Sequence, residues 1–151
     1  MEINKKYTTS ELEKLISKIY QKAEGPAKKD GTYKELDIRF ENAPSGHFDG
    51  EYCFSDETGY HYRCLERGTI TVDRITKDIF EITYWTIGSH IFWMSYEYER
   101  KNRINGQDNR RLMFSKRLHY FAALGEDYAK RAEYEIGETL KKAPFQDELF
   151  Q

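Results

Sequence analysis

Apolar positions in residues 8–24 recur at helical spacing. Leu12, Leu15, Ile16, Ile19 and Tyr20 fall on one face, which predicts an amphipathic helix. Thr8 with Glu11, or Ser10 with Glu13, offers a capping box at its start. Gly25-Pro26 reads as its stop, and residues 27–32 as a short polar loop. From Leu36 the period changes to two. Leu36, Ile38 and Phe40 alternate with Asp37, Arg39 and Glu41, the pattern of a half-buried strand. Residues 42–50, NAPSGHFDG, are turn chemistry. Residues 51–65 read as a hairpin around Asp56-Glu57-Thr58-Gly59. Residues 69–84 read as a second hairpin, whose loop at 76–78 pairs Val72 with Ile82 and Ile70 with Tyr84. Sequential strands with short turns make an antiparallel meander.

Beyond Gly88 the pattern is helical. Ser89 is placed to cap a helix reaching about Arg103, which Asn105-Gly106 breaks. Asp108 caps the next helix, with Leu112, Phe114, Leu118, Phe121 and Ala122 on it, and Gly125 stops it. A last helix over 126–142 presents Tyr128, Ala132, Ile136 and Leu140, and Pro144 closes it. The expected fold is α+β: an N-terminal helix, an antiparallel β-meander of four to five strands, then three C-terminal helices packed on one face of the sheet. With 151 residues and no internal repeat, one domain over 1–151 is expected.

Composition sharpens the core. Aromatics make up 15% of the chain, so Tyr, Phe and Trp build the interior more than Leu and Val do. Tyr84, Trp85, Phe92, Trp93, Tyr96 and Tyr98 crowd into 15 residues and are expected to be largely buried where sheet and helices meet. The 12 Tyr suit a contact face and equally suit half-buried strands. No apolar run approaches the roughly 20 residues of a membrane span. The first residues carry no apolar signal core, so a cytoplasmic location is expected. Cys53 and Cys64 lack zinc-type spacing. The hairpin would set them opposite each other, and they read as two small buried thiols rather than a cross-strand disulfide.

Charge varies by segment. Residues 1–34 are net +3, residues 35–98 net −7 and residues 99–151 net +2. An acidic middle third steers basic partners and repels phosphates, although an ordinary solvated strand face has the same composition. Candidate chemistry is sparse. His47, His61, His90 and His119 form no metal-binding spacing, and there is no phosphate loop or nucleophile elbow. His61 with Asp56 is the one pair that resembles a general base and its orienter, and a surface cross-strand pair reads the same way. Glu97, Glu99, Arg100, Lys101, Arg103, Asp108, Arg110 and Arg111 make a charged helical hairpin. Glu97 to Lys101 and Glu99 to Arg103 are spaced for helix ion pairs.

Residues 84–144 resemble the immunity protein 63 family of bacterial polymorphic toxin systems. The matching features are Tyr84-Trp85 ending a strand, Phe92-x-Met94 opening a helix, and Tyr98-Glu99 with Arg103. Asp108-x-Arg110-Arg111 follows, with Phe114 and Leu118, then Arg131, Glu135, Leu140 and Pro144-Phe145. The first 80 residues match only in style. The resemblance implies a protein that binds and neutralises the C-terminal toxin domain of a cognate partner as a stoichiometric inhibitor. No catalytic residue, metal or cofactor is carried over. It implies a structural role for Tyr84, Trp85, Phe92, Glu99, Arg103, Asp108, Arg110 and Arg111. The toxin-specific surface is then expected in the acidic, less regular parts: Asp37, Asp49, Glu51, Asp56 and Glu57. No nucleic acid or membrane partner is expected, and a monomer is favoured. A protein-interaction module unrelated to toxins, or a small enzyme using His47 or His61, stays open at this point.

Overall fold

The structure, a computed structural model, describes every residue except Ile3. The order is α1 (Thr9–Tyr20), a 3₁₀ turn (Gln21–Ala23), α2 (Glu24–Asp30), β1 (Gly50–Asp56), β2 (Gly59–Glu66), β3 (Thr69–Thr76), α3 (Ile79–Lys101), α4 (Asn109–Leu124), α5 (Glu126–Lys142) and a 3₁₀ turn (Asp147–Phe150). This is an α+β chain: helix, three-stranded antiparallel sheet in the order β1-β2-β3, then three helices. It divides into two compact units, one of Met1–Tyr20 with Glu35–Ser89, the other of Gln21–Lys34 with His90–Gln151.

In the first unit, α1 starts on the capping box read from Thr8 and Glu11. Glu11 N donates to Thr8 Oγ1 at 3.2 Å and Thr8 N to Glu11 Oε1 at 3.1 Å. Leu12, Ile16, Ile19 and Tyr20 are its buried stripe. β1 and β2 form the expected hairpin, with Asp56 opposite Gly59 across Glu57-Thr58. Gly59 has φ +144°, and a Cβ there would sit 2.8 Å from the Thr76 carbonyl oxygen, so only glycine fits this close approach. Directly opposed residues share a face. Cys53 with Tyr62 and Glu51 with Cys64 face the same side, and the first half of α3 lies there: Ser89 Oγ donates to Glu51 Oε1 at 2.5 Å, and the Arg74 guanidinium sits 4.0 Å from the Trp85 ring centroid. α1 meets this unit through Ser55 N donating to Thr9 Oγ1 and Tyr7 N donating to the Tyr60 hydroxyl. On the other side, Phe54 stacks on His61 at 4.4 Å, and Ala43, Tyr52, Leu65 and Ile70 form a small core.

In the second unit, α2 ends on Gly31 in the left-handed conformation, φ 71°. The buried Tyr120 on α4 holds that end. Its hydroxyl lies 2.5 Å from Thr32 Oγ1 and donates to Asp30 Oδ2 at 2.9 Å, where Lys116 also pairs at 2.9 Å. Asp108 caps α4 and Gly125 separates it from α5, both as the sequence predicts. Tyr128, Ala132 and Ile136 are the buried line of α5.

Five expectations need correction. The sheet has three strands, not four to five. Residues 36–40 are extended, but only Arg39 pairs, bridging Tyr52 of β1 in parallel. Alternating burial needs only an extended chain against a core, whereas a strand needs a continuous ladder. Residues 79–84 are not the return strand of a hairpin. Asp78 Oδ1 accepts from Phe80 N at 2.8 Å, and α3 begins there. Tyr84-Trp85 is therefore helical, and Ser89 lies inside α3 instead of capping it. Gly25-Pro26 does not end the helical run either: Pro26 sits in the first turn of α2, where its missing N–H is no loss. Cys53 and Cys64 face Tyr62 and Glu51, not each other, and both are free thiols. Burial pushes the Cys53 thiol up to about 12, against a weak opposing hydrogen bond with Thr86.

Candidate functional site

The tip of the β1–β2 hairpin carries the only candidate dyad read from the sequence. Asp56 Oδ1 accepts from Thr58 N at 2.9 Å and from Thr58 Oγ1 at 2.5 Å, and lies 2.9 Å from His61 Nε2. These bonds, Thr58 foremost and His61 next, hold the Asp56 carboxyl well below the usual carboxylate range. The same Nε2 is 3.0 Å from Thr58 Oγ1. A proton relay needs the carboxylate on one ring nitrogen and the reacting hydroxyl on the other. Here one nitrogen meets both, inside a two-residue turn, so the cluster is a clasp on the hairpin. His47 lies 4.0 Å from Glu41, beside the Phe48 and Tyr52 rings. Among the described residues, no group of three or more His, Cys, Asp or Glu is placed to hold a metal ion.

The acidic candidates fall into different situations. Asp37 and Glu57 are exposed. Asp49 is exposed and accepts from Gly68 N at 3.2 Å, tying the 42–50 loop to the β2–β3 turn. Glu51 is half-buried and accepts from the Tyr62 hydroxyl and from Ser89. Asp49 and Glu51 lie at one end of β1, Asp56 and Glu57 at the other. Seven residues at about 3.3 Å each separate the ends by roughly 20 Å. The five carboxylates are thus two groups plus Asp37, and Asp49, Glu51 and Asp56 each hold a bond within the fold.

The charged residues of α3 and α4 are clamps. Glu99, 2% exposed, receives a two-pronged Arg103 at 2.9 and 3.0 Å. Glu97 pairs with Arg100 rather than Lys101, whose ammonium donates to the Gly31 carbonyl. Asp108, 1% exposed, accepts from Arg110 N, Gln146 N and the Arg110 guanidinium. Arg110 also donates to the carbonyls of Ala143 and Pro144, and Arg111 pairs with Asp147. This knot fixes the segment after α5 to the start of α4. The Arg111 guanidinium lies 4.2 Å from the Phe145 ring centroid. Arg131 and Glu135 approach to 3.6 Å along α5.

The aromatic run of α3 departs from expectation. Tyr84 is buried, but Phe92, Trp93 and Tyr96 are 50%, 41% and 45% exposed. Aromatic density alone predicts a core position for them. The readable signal was their spacing: 92, 93 and 96 share a helix face, while Ile91, Met94 and Ser95 take the buried one.

The sequence profile of Immunity protein 63 matches residues 56–138, more than half of the chain. The chain belongs to the immunity protein 63 family. The family match runs from the hairpin tip through β2, β3, α3 and α4 into α5. It therefore starts earlier than the motif set recognised from residue 84 and includes the Glu99–Arg103 and Asp108–Arg110 clamps. Asp37, Asp49 and Glu51 lie before the matched range of the family, and Asp56 and Glu57 open it. No curated protein and no solved structure matches this immunity protein 63 family member.

Proposed function

We propose that this chain is an immunity protein that binds the C-terminal toxin domain of its cognate partner one-to-one and neutralises it without catalysis. Membership of the immunity protein 63 family carries this reading. The whole chain acts as one inhibitor, in the cytoplasm of the cell that makes the toxin. No described helix is long and apolar enough to cross a membrane, which suits this.

The contact surface in this reading is the acidic side of the first unit, which carries 9 basic and 14 acidic side chains. Asp37, Asp49 and Glu57 are its exposed members, with the half-buried Glu51 and Asp56 beside them along β1. A field of this sign speeds docking onto a basic cleft. A stable complex of this kind buries about 1,600 Å² in total.

Growth rescue tests the function. The toxin domain encoded beside this gene is induced in a bacterium with and without the chain. Rescue with co-purification of a one-to-one complex is expected. No rescue from a toxin domain that is active by itself would sink the immunity reading. For the surface, the double variant Asp37→Lys/Glu57→Lys should weaken protection while staying folded by circular dichroism. Full protection by that variant would remove the acidic side from the interface.

A further inference from the structure

The second unit presents a surface of a different kind. Phe92, Trp93 and Tyr96 occupy one face of α3, each between two fifths and one half exposed. Aromatic side chains expose about 150–250 Å² each when free, so the three together leave roughly 300 Å² of contiguous ring surface. That is the low end of the largest apolar patch on a typical monomer, and such patches often serve as contact sites. The patch does not stand among neutral neighbours. Lys34 Nζ is 5.2 Å from the Trp93 ring centroid, and the Arg117 guanidinium is 4.3 Å from that of Phe92. Arg100 follows Tyr96 by one helical turn, with its side chain 54% exposed while its partner carboxylate, Glu97, is 16% exposed. The cation points outward and the anion lies beneath it. Arg103 and Glu99 repeat this arrangement at 50% and 3%.

Aromatic rings with ordered guanidinium groups at their rim match the composition of interaction hot spots. The polarity of the rim selects the partner. The second unit carries 15 basic and 12 acidic side chains, opposite in sign to the first. A modest excess of cations, most of them already held by carboxylates, suits a few carboxylates on a protein better than the dense charge of a phosphate backbone.

We propose that the Phe92–Trp93–Tyr96 face of α3 is a second contact surface, and that its occupant is an acidic, apolar-centred face of the toxin domain. This rests on the immunity reading for the identity of the partner. The rings supply desolvated area, and the outward guanidinium of Arg100 meets a carboxylate at the rim.

The test uses the full chain and the toxin domain encoded beside its gene, inactivated by a catalytic substitution, in titration calorimetry at low and at physiological salt. The double variant Trp93→Ala/Tyr96→Ala should weaken binding by a factor of about 30 or more. Arg100→Gln should weaken it several-fold and flatten the salt dependence. Each variant should keep the wild-type circular dichroism spectrum at the temperature of the titration, and because Trp93 and Tyr96 are more than half buried the aromatic variant is compared well below its own melting transition. Binding by the wild type with equal affinity for the aromatic double variant would overturn this surface and leave the immunity reading standing. No binding by the wild type would overturn both. If Arg100→Gln changes neither affinity nor salt dependence, the acidic chemistry of the partner is wrong. A concentration-dependent dimer of the free chain that disappears in the aromatic double variant would assign the face to a second copy and overturn the toxin as occupant.

Discussion

Asp108 is almost fully buried, yet its surroundings favour the charged form. Arg110 chiefly, then the N–H groups of Gln146 and Arg110, hold its carboxyl well below the ordinary range. Replacing it by Ala removes a helix cap, worth about 1 kcal/mol, and strips Arg110 of its partner. Asp108→Ala should therefore lose about 2–4 kcal/mol in urea unfolding. A carboxylate whose pKa is lower folded than unfolded stabilises the fold at pH values above its unfolded pKa, about 3.9. That contribution is lost as pH falls below about 4 toward the folded value. Asp108→Asn, which keeps the cap, should show a shallower fall in unfolding midpoint between about pH 4 and pH 2 than the wild type. Glu51 makes the complementary case. Because Tyr62 and Ser89 both donate to it, Glu51→Lys should destabilise the fold by about 1–3 kcal/mol in the same assay. Any loss of protection by that variant reads first as lost folding, which is why the exposed Glu57 is the cleaner probe of the surface.

Elements set by neighbouring residues were legible, and those set by distant partners were not. Thr8 with Glu11, the Asp56–Gly59 turn, Asp108 and Gly125 all act within four residues, and each appears where the sequence places it. Residues 79–84 mislead because Ile, Phe, Thr and Tyr favour strands. Gly88 looks like a break but lies inside α3. The deciding pattern was longer: Ile79, Ile82, Thr86, Ile87, His90, Ile91 and Met94 are buried at steps of three and four across that glycine. Residues 36–40 mislead for the opposite reason, since alternation reports faces and not pairing. Within the site, the clamps were legible as charge spacing, but the engagement of Glu51 was not, because Ser89 lies 38 residues away. The helical assignment has a direct check. Asp78→Ala removes the cap of α3 and should cost about 1 kcal/mol in chemical unfolding. In a hairpin loop the same change would leave stability within about 0.5 kcal/mol.

At the scale of the whole molecule, the near-zero net charge of −2 conceals two units of opposite sign, net −5 and net +3. Long-range charge acts mainly on the rate of encounter, whereas short-range packing of rings acts on the rate of escape. The two proposed surfaces should therefore separate in kinetics even though substitutions in either raise the dissociation constant. Asp37→Lys/Glu57→Lys should slow association with the toxin domain by a factor on the order of 10 at low salt, with little change in dissociation. Raising the salt to about 0.15 M shortens the screening length to about 8 Å and should shrink that difference. Trp93→Ala/Tyr96→Ala should do the reverse, leaving association nearly unchanged and speeding dissociation at every salt concentration. Stopped-flow association and surface-bound dissociation of the same three proteins read both rates. If the charge variant altered only dissociation, the acidic unit would be meeting the toxin by close contact rather than by steering. The exposed carboxylates would then have to be paired across the interface.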